Sequence, residues 1–200
     1  MALQLNYWPC SFPLKPEWCP CDVHFIEYLR DHQITNQVIF HFGTGEHHIL
    51  GEYNLALGEP NEILGITASR QEYAHYIDFI IHNPVGANYY KVIFADIYTL
   101  TPRILPQFDL VTLFHLCEFY DQEKSAYALL NDSSLLGLFL SKLHLGGRLF
   151  FYKGSAAFQK TQRIIEHYVD HKQMVQVDEY KTLLVYGQPA VDGKVAPYLT

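Results

Sequence analysis

Short apolar runs alternate along the chain with stretches whose apolar positions recur every three or four residues. The two patterns predict strands and helices in turn. Val38-Ile39-Phe40-His41-Phe42 is an apolar run closed by Gly43-Thr44-Gly45 and reads as a buried strand. Further strands are expected over 62–67, 89–95, 109–114 and 148–152. Helices are expected over 22–33, from Gly45 to about Leu57, from Ser69 to about His82, over 122–144 and over 155–171. Val23, Ile26 and Leu29 share a face of the first helix, with Asp22 placed to cap it. Ser69 is placed to cap the third, which stops before Pro84, and Gly146-Gly147 offers a stop for the fourth. Residues 173–177 and 182–186 read as strands joined by Asp178-Glu179-Tyr180-Lys181, short enough for a hairpin.

Strands separated by helices require a parallel sheet with right-handed crossovers, because each return to a parallel neighbour uses a helix. The closing hairpin adds an antiparallel member. In such an open sheet, ligands bind beyond the carboxyl ends of the strands, where the strand order reverses. Loops 43–47, 67–70, 96–100 and 114–121 are therefore the places where a site is expected.

Two stretches break the pattern. Pro9, Pro13, Pro16 and Pro20 deny regular structure its amide donors, so residues 1–21 read as an irregular arm. A single domain over 22–188 and a flexible tail over 189–200 complete the organisation. With 200 residues, 49% apolar and 15% aromatic, general disorder is excluded. The formal charge is −7 and no Lys/Arg run occurs, which argues against a nucleic-acid partner. No apolar run is long enough for a membrane span, and residues 1–13 lack the order of a signal peptide. A cytoplasmic protein with no membrane association is expected; a homodimer or a protein partner stays open.

Cys10-x8-Cys19-x-Cys21 lacks the Cys-x2-Cys spacing of a zinc knuckle, so the cysteines read as buried or idle thiols. His41, His47 and His48 with Glu46 or Glu52 form a second metal candidate. His48 and Glu52 stand one helical turn apart, but neighbouring His47 and His48 diverge by about 100°. No metal is expected at either place.

Five motifs in order now carry a resemblance. The segment 38–47 is similar to the first motif, acid-x-Gly-x-Gly-x-Gly, of the class I S-adenosylmethionine-dependent methyltransferases, with Gly43 and Gly45 matching. His41 stands at its acid and His47 at its third glycine. Gly65-Ile66-Thr67-Ala68-Ser69 resembles the end of the family's second strand, with Thr67 at an acidic position. Ala95-Asp96-Ile97 resembles the third motif, Phe108-Asp109-Leu110-Val111 the fourth, and Leu145-Gly146-Gly147-Arg148-Leu149 the entry to strand five. The resemblance covers about residues 22–187. It implies a three-layer Rossmann-like fold with a mostly parallel seven-stranded sheet, order 3-2-1-4-5-7-6, strand seven antiparallel.

It further implies S-adenosylmethionine as cofactor, held by His41, Gly43, Thr44, Gly45, Thr67, Ala68, Asp96, Ile97 and Phe114. Asp96 would accept from the adenine amino group and Ile97 would pack on the ring. Glu46 and Glu72 are nearby acids able to stand in for the missing carboxylate at Thr67. His115, neutral near pH 7, is the candidate base. Tyr7, Trp8, Glu118 and Tyr120 are candidate contacts to a small-molecule acceptor, with the aromatic arm as a lid. Two functions follow: direct in-line methyl transfer to that acceptor, or a catalytically silent relative serving as a binding or partner subunit, towards which His41, His47 and Thr67 point.

Overall fold

The computed structural model describes residues 8–121 and 124–189. Its strands are β1 (Val38–Phe42), β2 (Glu62–Thr67), β3 (Tyr90–Phe94), β4 (Phe108–Thr112), β5 (Leu143–Tyr152), β6 (Val175–Tyr180) and β7 (Leu183–Gly187). They form one sheet in the order β3-β2-β1-β4-β5-β7-β6. β1 pairs in parallel with both β2 and β4, so the order reverses between β1 and β4, and β7 runs antiparallel to β5 and β6.

Successive strand residues point to opposite faces, so each face buries its own apolar set. Phe40, Val111 and Phe151 join Leu136 and Phe139 of α4 (Asp132–Ser141) and Ile165 of α5 (Phe158–Asp170). On the other face Ile39, Leu110 and Phe150 pack with Phe25 of α1 (Cys21–Asp31), Leu50 of α2 (Ile49–Leu55) and Tyr76 of α3 (Arg70–His82). The three layers that the resemblance implies are present. Among the described residues no helix is long and apolar enough to cross a membrane.

Four local expectations are corrected. α1 is preceded by Pro20 and has no side-chain cap; Asp22 lies in its first turn with its carboxylate turned inward. α2 begins at Ile49, several residues after the Gly45 turn. Within the helix expected over 122–144, the described residues form a 3-10 turn (Lys124–Ala126) and then α4, started late by a capping box between Asn131 and Ser134. Gly146-Gly147 lies inside β5, not at a helix end. Gly146 has φ +90°, and a Cβ on Gly147 would lie 2.9 Å from the Asp109 carbonyl oxygen. The glycines serve a kinked strand entry beside a register shift in the β4–β5 pairing.

Candidate active site

A cavity of about 600 Å³ opens at the carboxyl ends of β1 to β4, the point of strand-order reversal. Its size falls within the roughly 300–1,000 Å³ of small-ligand sites. The arm lies across it. The Trp8 amide donates to the Ala68 carbonyl at 2.8 Å, and the Trp8 ring meets Phe119 edge-on at 5.0 Å. The Glu46 amide donates to the Phe12 carbonyl at 2.9 Å, the Phe12 amide donates to Glu72 Oε1 at 3.3 Å, and the Ser11 hydroxyl donates to Glu46.

The turn after β1 supplies bare backbone on one side only. Gly43 and Gly45 have φ of +82° and +59°, which favours glycine at both. A Cβ on Gly43 would meet nothing nearer than His115 Cδ2 at 4.0 Å. A Cβ on Gly45 would lie 2.8 Å from the Phe12 carbonyl oxygen and 2.9 Å from His47 Nε2. Gly43 thus faces open cavity, while Gly45, though part of the lining, is covered by the arm and by His47. The His47 ring does not fill the cavity; its Nε2 lies 3.5 Å from Asp22 Oδ2.

At β2 the Thr67 hydroxyl donates to Glu72 Oε2 at 2.5 Å and accepts from the Ser69 amide at 3.0 Å. Ser69 caps α3 as predicted, accepting from the Glu72 amide, and so fixes the turn that aims Glu72 inward. Glu72 is buried and lines the cavity, and that burial pushes its carboxyl up. A carboxylate therefore stands beside Thr67 although the strand itself lacks one. At β3 Asp96 accepts from the Tyr98 amide at 3.0 Å and from the Tyr127 hydroxyl, and Ile97 forms adjoining wall.

His41 sits beneath the floor. It is 2% exposed, with Nδ1 2.9 Å from the Thr112 hydroxyl and Nε2 3.6 Å from Asp22 Oδ1. Burial, then neighbouring imidazoles, pushes its pKa down to about 3, so the ring is neutral. Asp22, from α1 just before β1, brings the carboxyl that the strand motif lacks and lines the cavity; burial raises it to about 7.

On the loop after β4, His115 Nδ1 lies 3.1 Å from Glu118 Oε1, and its Nε2 lies 3.8 Å from both Cys19 Sγ and Cys21 Sγ. Burial opposes a charge on the ring, but Cys19 and Glu118 outweigh it and raise the pKa to about 10. Cys19 is lowered by its bond to Cys21, against burial and with help from His115. Both ring nitrogens thus have partners, Nδ1 facing Glu118 and Nε2 the two cysteine sulfurs.

The cavity wall thus includes Gly43, Gly45, Thr67, Ala68, Asp96, Ile97, His115, Glu118 and Trp8 among the residues singled out in the sequence. It does not include four others. His41 is below the floor. Thr44 is buried, with its methyl against Gly65. Phe114 is buried against Phe25 at 5.9 Å, and Tyr120 packs on Tyr98 at 5.1 Å. Tyr7 lies outside the described residues. Sequence reading did not anticipate Asp22, Cys19 and Cys21 in the site. His115 is 96 and 94 residues from the two cysteines, so no local spacing could have joined them.

No protein-family profile matches the chain, and no curated relative matches it. Solved structures do. Magnesium protoporphyrin IX methyltransferase (ChlM) from Synechocystis PCC 6803, solved with bound SAM, is 12% identical, with 82% of this chain and 76% of that chain covered and a TM-score of 0.59. TrmN from Thermus thermophilus is 14% identical at TM-score 0.55; 82% of this chain is covered, but it spans only 47% of TrmN. A candidate rRNA methylase from Clostridium thermocellum is 10% identical, with 82% and 94% covered and a TM-score of 0.55. The chain has the class I methyltransferase fold, as the resemblance implied; at these identities the likeness is one of fold.

The exclusion of nucleic acid in favour of a small-molecule partner is corrected here. This fold occurs in a chain described as an rRNA methylase, so the lack of a Lys/Arg run does not separate acceptor classes.

Proposed function

We propose that this protein is an S-adenosylmethionine-dependent methyltransferase whose cofactor lies in the cavity at the ends of β1 to β4. The observation that carries the reading is the donor set around that cavity. Open backbone at Gly43 shares the lining with a buried carboxyl at Glu72 and with Asp96 and Ile97. Glu72, held by Thr67 and the Phe12 amide, keeps acceptor capacity for ribose hydroxyls. Asp96 likewise can accept from an adenine amino group beside Ile97.

When bound, the cofactor supplies an electrophilic methyl group on a sulfonium. The chain's own task is then alignment of an acceptor for in-line attack and exclusion of water. Trp8, Phe12 and Phe119 form an apolar roof suited to that exclusion. Glu118, with Ser155 and the Ala156 amide donating to it, is a fixed anion at the edge of the same space.

Isothermal calorimetry with S-adenosylhomocysteine tests the reading. Saturable one-to-one binding is expected for the full chain. Glu72→Gln and Asp96→Asn should each weaken it about tenfold or more, the loss of a charge-assisted bond of about 1.5–3 kcal/mol. No heat at millimolar ligand overturns the proposal and favours a silent relative. If binding is seen, release of S-adenosylhomocysteine from S-adenosylmethionine with small-molecule, RNA and protein acceptors identifies the acceptor class.

A further inference from the structure

The arm and the β4 loop bring together a group that methyl transfer does not require. Cys19 Sγ and Cys21 Sγ are 3.4 Å apart, and His115 Nε2 is 3.8 Å from each. Among the described residues, these three form a cluster whose ligand atoms all lie within 4.8 Å of one another. From these positions we infer a zinc site, Cys19-Cys21-His115, with its fourth coordination position facing the cavity.

The distances suit a coordination triangle. Tetrahedral zinc with Zn–S of about 2.3 Å and Zn–N of about 2.0–2.1 Å sets its ligands apart by about 3.8 Å for S···S and about 3.6 Å for S···N. The three observed edges lie within a few tenths of an ångström of those values. Two thiolates and an imidazole are a donor set for zinc over hard cations such as magnesium or calcium, and the triangle leaves no side for a square-planar ion. The charge also closes: two thiolates neutralise the divalent ion, and the protons held on the sulfurs and on His115 Nε2 leave to solvent on binding.

The surroundings are those of a prepared ligand. Glu118 Oε1 faces His115 Nδ1 at 3.1 Å, so the ring can donate its Nδ1–H to Glu118 as a hydrogen bond and present the Nε2 lone pair to the metal. Glu118 is itself held by the Ser155 hydroxyl at 2.5 Å and the Ala156 amide at 3.1 Å. The Cys19 amide donates to the Lys15 carbonyl at 2.8 Å, and Cys21 is fixed as the first residue of α1 behind Pro20. All three ligand residues line the cavity. Three protein ligands with an open fourth position is the pattern of a catalytic zinc site, where water or a substrate heteroatom completes the tetrahedron. A thiol or hydroxyl donor bound there would lose its proton more readily.

The inference stands apart from cofactor binding and is tested without it. The reduced, metal-free full chain is titrated with cobalt(II), a spectroscopic substitute for zinc. One equivalent should give the intense visible bands of tetrahedral cobalt and a near-ultraviolet thiolate charge-transfer band, and zinc should abolish both. Cys19→Ser and His115→Ala should lose the bands; Cys10→Ser and Cys117→Ser should keep them. Glu118→Gln should keep the bands and weaken zinc by roughly 10- to 100-fold in competition with a chromophoric chelator, as a positioning residue behind a ligand does. Absence of the bands in the wild-type chain overturns the site, a result that needs no variant to fold. Bands of full intensity in Cys19→Ser overturn it as well.

Discussion

At the scale of single residues, the side chains that matter are those that contradict their local pattern. His41 sits in an apolar strand and Thr67 at the end of another, and both look like lost acids until the partners are seen. The carboxylates come from Asp22 and Glu72, both on helix first turns outside the strands. Sequence alone shows the missing acid but not its replacement, because replacement is a matter of distance in space. Glu72 was legible as a candidate since only five positions separate it from Thr67; Asp22, on the element before β1, was not. His48 is a further buried imidazole, with Nδ1 3.0 Å from the Tyr90 hydroxyl. Burial lowers its pKa from 6.5 to about 4. The unfolded chain therefore binds a proton more readily between those values. The neutral ring's contribution is complete above pH 6.5 and is lost as pH falls towards 4, about 3 kcal/mol over the full interval. Urea unfolding at pH 7 and pH 5 should show a smaller acid-induced loss in His48→Gln than in the parent. Equal losses would mean that the ring is solvated and titrates normally.

At the scale of elements, what the pattern predicts well is what the sheet buries. β1 and β2 begin and end where the apolar runs do, and α3 follows from Ser69 and Pro84. The region between β4 and β5 was misread because an apolar helix gives no periodic stripe. α4 buries Leu135, Leu136, Leu138, Phe139 and Leu140, so its limits depend on its cap and not on amphipathicity. Gly146-Gly147 matches both a helix stop and a kinked strand entry, and only the neighbouring Asp109 carbonyl tells them apart. The cap can be tested directly. The Asn131 side chain accepts from the Ser134 amide at 2.9 Å, and the Ser134 hydroxyl accepts in turn from the Asn131 amide at 2.8 Å. Asn131→Ala should lower stability by about 1 kcal/mol, within roughly 0.5–2, read as a lower urea midpoint at unchanged slope. An unchanged midpoint would show that packing of the leucines alone sets where α4 starts.

At the scale of the whole molecule, the strand reversal between β1 and β4 makes the crevice, and the arm determines how it is enclosed. The sheet order follows from the alternation of strands and helices together with the resemblance, so the crevice could be located before any coordinates. The path of the arm could not be, because its prolines say only that it is irregular. Its attachment is to the loops after β1 and β2, to α3, and, through Cys19 and Cys21, to His115 after β4. If zinc joins those last three, it ties residues nearly half the chain apart and stabilises only the state in which the arm is closed. Mass action then gives the size of the effect. At a zinc activity 100 times the dissociation constant, the folded state gains about 2.7 kcal/mol. For a domain of this length each kcal/mol raises the melting temperature by about 2–4 °C, so zinc should raise it by roughly 5–10 °C. The rise should grow with the logarithm of zinc concentration, reverse with a chelator and be absent in Cys19→Ser. A melting temperature indifferent to zinc in the wild-type chain would mean that the arm is held without metal, by contacts such as its hydrogen bonds to Ala68, Glu46, Glu72 and Tyr152 and the Trp8–Phe119 ring contact.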